Sequence, residues 1–112
     1  MRRRFIAKAQ WCIINGKNSY YRSLMELRYA RHLEKLKELG EIKDFEHEPR
    51  CFTFEAIKRG IRYYLPDFVV HNLDGSHHYV EVKGYMDAAS KTKINRFRKY
   101  YPEETLIVVT KI

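Results

Sequence analysis

Three charged residues sit away from the turn in one short stretch, "YLPDFVVHNLDGSHHYVEVKGY", residues 64–85: Asp67, Glu81 and Lys83. The apolar residues around them read as two strands joined at Asp74-Gly75, so the charges are expected inside strands, where such residues are disfavoured. Side chains alternate along a strand, which puts Glu81 and Lys83 on one face and Val80 and Val82 on the other. The position of Asp67 depends on the loop. A three-residue loop, Leu73-Asp74-Gly75, with Gly75 in the left-handed third position, pairs Asn72 with Ser76. Counting back then sets Asp67 directly opposite Glu81, with Cβ atoms about 5 Å apart. A two-residue loop shifts the register by one and sends Asp67 to the other face.

A third carboxylate comes from an earlier segment. Residues 23–39 have helical periodicity, Ser23 and Glu26 fit a capping box, and Gly40 fits the position just past the last turn. At about 100° per residue, Glu26 lies roughly 20° from Leu33 and within about 80° of Tyr29, Ala30 and Leu36. It therefore projects from the apolar stripe, while Arg28, Arg31, Lys35 and Glu38 point away. Two readings stand side by side: Glu26 completes the cap, or it joins Asp67 and Glu81 in a site.

Three desolvated carboxylates at one spot repel one another unless a hard divalent cation lies between them. Oxygen ligands with some positions left to water suit Mg²⁺ or Mn²⁺. A lysine two residues from the last ligand can orient or deprotonate an attacking water, and the metal can stabilise charge developing on a phosphodiester. A salt bridge from Lys83 to one carboxylate accounts for one acid, not three.

The rest of the chain must position these groups. At 112 residues with 45% hydrophobic composition, a single folded domain over 1–112 is expected. No apolar run reaches the roughly 18 residues of a membrane span. The start has the charge of a signal peptide but interrupts its apolar stretch with Lys8 and Gln10, so a cytoplasmic location is expected. Cys12 and Cys51 fit two free thiols in a reducing compartment, with one disulfide as the alternative. Twenty-two Lys and Arg against 14 acids give a net charge of +8. So basic a chain is expected to meet a polyanion, most often nucleic acid, although surface lysines also serve solubility.

A basic arm is expected over about residues 1–10, then a hairpin at Asn15-Gly16 and the first helix. "EIKDFEHEPRCFTFE" reads as one strand or two, broken near Pro49, and "IRYYLPDFVVHNLDGSHHYVEVKGY" as two or three more. A second helix spans 87–101, with Asp87 as cap and Pro102 as stop, and "TLIVVTKI" closes as a buried strand. The order β, α, several β, α, β implies an α/β fold with a mixed sheet and helices packed on it.

With these elements in place, "LPDF" followed by "VEVK" resembles the PD-(D/E)xK nuclease motif, here Pro66-Asp67 and Glu81-Val82-Lys83. "RSLMELRYARHLEKLKELGEI" is similar to the helix that supplies an extra acidic ligand, here Glu26. "GYMDAASKTKINRFRKYYPEETLIVV" resembles the basic helix and closing strand that follow the lysine. The likeness is to small phage endonucleases, including the endonuclease I type that resolves Holliday junctions. It runs from about Asn18 to Val109, nearly the whole chain.

That resemblance implies a restriction-endonuclease-like core, a central mixed sheet flanked by helices, hydrolysing DNA with Mg²⁺, for which Mn²⁺ can substitute. Asp67 would bind the main metal, with Glu81 and the Val82 carbonyl beside it and Glu26 completing the shell. Lys83 would position the water, and a 5′-phosphate and a 3′-hydroxyl would result. Branched DNA is the implied substrate and a homodimer the implied unit, in some relatives with exchange of N-terminal strands, a part open to "WCIINGKNSYY". The alternatives are a nickase or transposon or recombination endonuclease that works with a partner, and a DNA-binding module with a dead site.

Lys91, Lys93, Arg96, Arg98 and Lys99 on the second helix are expected to contact phosphates, with Ile94, Phe97 and Tyr101 as its buried stripe. Arg2, Arg3 and Arg4 either touch DNA or simply end the chain in charge. His77 and His78 fit a solvated hairpin tip better than metal ligands, and Cys12, Cys51 and His47 lack zinc-site spacing. Tyr63 and Tyr64 serve either as packing residues or as platforms for bases.

Overall fold

A computed structural model of the protein describes residues 9–111. The arm expected over residues 1–10, with Arg2, Arg3 and Arg4, lies outside the described residues except for its last two positions, and Gln10 already begins a strand. Strands β1 (Gln10–Ile14) and β2 (Lys17–Tyr21) pair antiparallel, with Ile14 opposite Lys17. The two residues between them, Asn15 (φ 58°) and Gly16 (φ 76°), both take the left-handed conformation that a two-residue hairpin turn requires. Asn15 also anchors the hairpin: its N–H donates to Glu34 at 3.0 Å and its side-chain amide to the Phe45 carbonyl at 3.1 Å.

Helix α1 (Leu24–Glu38) starts where the Ser23 hydroxyl accepts the Glu26 N–H at 3.0 Å, and stops before Gly40, whose φ is +74°. Strands β3 (Asp44–His47), β4 (Phe52–Thr53), β5 (Tyr63–Tyr64), β6 (Phe68–His71) and β7 (His77–Val82) follow. Helix α2 (Ala88–Tyr100), capped by Asp87, then carries the chain across to β8 (Leu106–Val109). The central sheet has the order β3-β6-β7-β8; β7 and β8 run parallel and the other neighbours antiparallel. The fold is thus α+β, with a mixed four-stranded sheet and two helices.

Between β6 and β7 the chain turns over three residues, Leu73-Asp74-Gly75, closed by the Asn72–Ser76 pair. The Asn72 N–H donates to the Ser76 carbonyl at 2.8 Å, His71 pairs with His77, and Gly75 has φ +92°. Phe68 pairs with Val80, so the next residues outward, Asp67 and Glu81, face each other.

Two expectations need correcting. Asp67 and Lys83 do not lie inside strands; they flank them, Asp67 just before β6 and Lys83 just after β7. The ladder still reaches past the strand ends, since Glu48 N–H donates to the Asp67 carbonyl at 2.7 Å and Lys83 N–H to the Val109 carbonyl at 2.9 Å. The closing strand is only partly buried: Leu106 is covered but Ile107 is 45% exposed, because β8 forms an edge of the sheet.

Each sheet face has its own core. Phe45, Phe68, Val70, Val80 and Val82 pack against Ala30 and Leu33 of α1 and against Ile14 and Tyr21 of the hairpin. Val69, Tyr79 and Leu106 pack against Ile94 and Phe97 of α2 and against Phe52, Phe54 and Tyr64. The other face of the hairpin leaves Trp11 and Ile13 exposed, with Trp11 against Tyr20 at 5.5 Å between ring centroids. Among the described residues no helix is long and apolar enough to cross a membrane.

Candidate active site

Alternation along β7 places Glu81 on the α2 face of the sheet, with Tyr79, while Val80 and Val82 point to α1. Glu26 comes from α1, on the opposite face, and is 4% exposed. The acids therefore do not share one face. They meet at one end of the sheet, where β6 begins and β3, β7 and β8 all finish. A cleft of about 690 Å³ opens there, and its lining includes Glu26, Asp67, Glu81, Val82 and Lys83, with Arg22 and Lys93 beside them.

Each carboxylate has its own partner. The Val82 N–H donates to Asp67 Oδ2 at 2.7 Å, and the Tyr64 hydroxyl donates to Glu81 Oε1 at 2.6 Å. Glu26 Oε2 bonds to His47 Nε2, and His47 Nδ1 lies 2.6 Å from Ser19 Oγ. Tyr21 stacks on the His47 ring with 4.2 Å between centroids, fixing the imidazole between Glu26 and Ser19. Glu48, one residue past β3, has a left-handed backbone (φ 49°), and its side chain pairs with Arg22 at 3.5 Å.

The electrostatics follow from this crowding. Burial, then the nearby charges of Glu81 and Glu26, push the Asp67 carboxyl up to about 8, against the pull of the Val82 N–H. Burial also raises Glu81, although the Tyr64 hydroxyl and the ammonium groups of Lys83 and Lys93 act the other way. The Tyr64 hydroxyl is raised in turn by burial and by Glu81, so it remains a hydrogen-bond donor. Facing acids held at this cost fit a hard divalent cation: the donors are all oxygen, and a positive charge would relieve both the repulsion and the desolvation.

Among the described residues, donor atoms of Glu26, His47 and Glu48 lie within 4.8 Å of one another, a grouping that leaves out Asp67 and Glu81. The hydrogen bond to His47 turns Glu26 toward β3, while Tyr64 holds Glu81 on the other side of the sheet end.

The basic residues of α2 go in several directions. Lys93 lines the cleft, while Lys91 and Arg98 border a separate groove against Val108. Arg96 donates to the Ile61 carbonyl, Arg98 to the Leu106 carbonyl at 3.1 Å, and Lys99 lies 5.8 Å over the Tyr100 ring. His77 pairs with Glu104 at 3.0 Å, and Cys12 and Cys51 are free thiols.

His47, Glu48, Arg22 and the Tyr64 hydroxyl are neighbours of the acids that sequence reasoning left aside. His47 had a signal, since it alternates with Phe45 on the inward face of β3. Nothing in the order of residues marks Glu48 or the Tyr64 hydroxyl, which reach the acids through tertiary packing.

No curated protein matches the chain. Residues 5–112, nearly its whole length, match a family known only by its description, and the chain belongs to that family, Protein of unknown function (DUF1064).

Proposed function

We propose that the protein is a metal-dependent DNA endonuclease of the PD-(D/E)xK kind, acting on branched DNA such as four-way junctions. The observation that carries this reading is the half-buried pair Asp67 and Glu81, facing each other across β6 and β7, with Asp67 pushed up to about 8 and Lys83 in the same cleft. A pure binder of DNA has no need of clustered acids facing a polyanion.

Asp67, Glu81, the Val82 carbonyl and Glu26 would hold Mg²⁺, with Mn²⁺ as a substitute. The ion supplies, when bound, stabilisation of the charge that builds on the phosphodiester. The chain does the positioning. Val82 N–H and the Tyr64 hydroxyl aim Asp67 and Glu81, while the bond to His47 holds one oxygen of Glu26 toward β3. Arg22 and Lys93 draw the backbone phosphate to the cleft. Lys83 hydrogen-bonds the attacking water and orients it toward phosphorus. The new P–O bond forms as the bond to the 3′ oxygen breaks, the attacking water gives up its proton to solvent and the departing 3′ oxygen takes one from solvent, so a 5′-phosphate and a 3′-hydroxyl remain.

The two symmetric strands of a junction suit a homodimer, and the exposed Trp11, Ile13 and Tyr20 offer a surface on which it would close. A cytoplasmic setting fits the two free thiols. The test is cleavage of labelled four-way junction, linear duplex and single strand in Mg²⁺ and in EDTA. Paired, metal-dependent cuts near the branch support the reading; equal cutting of linear duplex removes the branch selectivity and keeps the nuclease.

A further inference from the structure

The mouth of the cleft carries two groups that hydrolysis does not require. Tyr63 and Tyr85 both line it and are 64% and 78% exposed. They come from different elements, Tyr63 from β5 and Tyr85 from the turn between β7 and α2. Neither side chain has a hydrogen bond or a ring contact with another described residue. Other tyrosines of the chain behave differently. Tyr64 is buried with its hydroxyl on Glu81, Tyr79 stacks edge-on to Phe52, and Tyr101 lies against Phe97.

One exposed tyrosine is ordinary. Two on the rim of one cleft, with Arg22 and Lys93 in the same lining, form a combination with a specific use. Flat rings accept bases by stacking, nearby cations hold the phosphates, and this is how single strands are gripped without regard to sequence. A base inside continuous duplex is already covered on both faces. An unpaired base has a free face to offer.

We propose that Tyr63 and Tyr85 form a stacking platform for unpaired DNA bases next to the phosphate in the cleft. The cleft then selects nucleotides at flaps and frayed branch points over those in continuous duplex. The cutting at such positions rests on the endonuclease reading above; the stacking does not.

The test uses the full chain and a flap oligonucleotide with 2-aminopurine in the unpaired arm beside the branch, compared with the same base inside linear duplex. Binding is followed by fluorescence in Ca²⁺ and in EDTA, and cleavage separately in Mg²⁺. Wild type is expected to quench the unpaired probe and to prefer the flap. Tyr63→Leu with Tyr85→Leu should lose the quench and weaken flap binding by roughly tenfold or more, while Tyr63→Phe with Tyr85→Phe keeps both. Unchanged flap affinity in the leucine variant, or equal quenching in duplex, overturns the platform. Tyrosine-dependent quenching without cleavage of any substrate upholds the platform and overturns the endonuclease instead. Cleavage without quenching does the reverse.

Discussion

Asp67 is held in the folded chain against its chemistry, and that tension has a measurable sign. Its carboxyl titrates near 8 in the folded state and near the ordinary 3.8 when unfolded. Between those values the folded state binds a proton that the unfolded state has released, so stability falls as pH rises from about 4 to about 8. Glu81, also raised, pushes the same way. Urea unfolding of the metal-free protein should therefore show lower stability at pH 9 than at pH 6. Asp67→Asn should flatten that slope and stabilise the metal-free chain at pH 9 by at least about 1 kcal/mol. Millimolar Mg²⁺ should raise the stability of the wild type at pH 9 and leave Asp67→Asn nearly unchanged. Stability of the wild type that is independent of pH over this range would mean that Asp67 is not strained.

The elements owe their placement to local signals of different strength. The Ser23 cap and the Gly75 turn are both legible in the order of residues, because capping and left-handed turns depend on near neighbours. Ser23→Ala should cost about 1 kcal/mol in urea unfolding by leaving the Glu26 N–H without its partner. Gly75→Ala should cost a similar amount, about 1 kcal/mol, from backbone strain alone, since a Cβ there would meet nothing within 4 Å. The register that sets Asp67 opposite Glu81 follows from that loop and was readable too. The division of the acids between two sheet faces was not. Periodicity says that Glu26 points inward from α1, but not which face of the sheet α1 covers, a matter of long-range packing. For the same reason, the partners His47, Glu48 and Tyr64 come from segments distant in sequence and join the acids only through the fold. The five cations of α2 read as one stripe, yet Arg96 and Arg98 bond to backbone carbonyls of neighbouring segments and Lys93 alone of the five lines the acid cleft.

For the whole molecule, the charge of +8 and the acid-lined cleft pull in opposite directions. The basic surface attracts a polyanion from a distance, while the cleft repels phosphate until its acids are neutralised. Binding of duplex DNA should accordingly weaken steeply with salt, as counterions released from the phosphates are recaptured. Lys93→Ala should reduce the slope of log K against log salt by about one. An unchanged slope would put Lys93 away from the DNA.

The central claim is that Lys83 and the acid pair cut DNA. Its most direct test is incubation of a labelled four-way junction with wild type and with Lys83→Ala in Mg²⁺, after circular dichroism has verified that the variant folds. Paired incisions near the branch, absent in EDTA and reduced at least a hundredfold in Lys83→Ala, are expected. Cleavage that survives EDTA or the loss of Lys83, or a wild type that binds the junction tightly and never cuts it, would contradict the account.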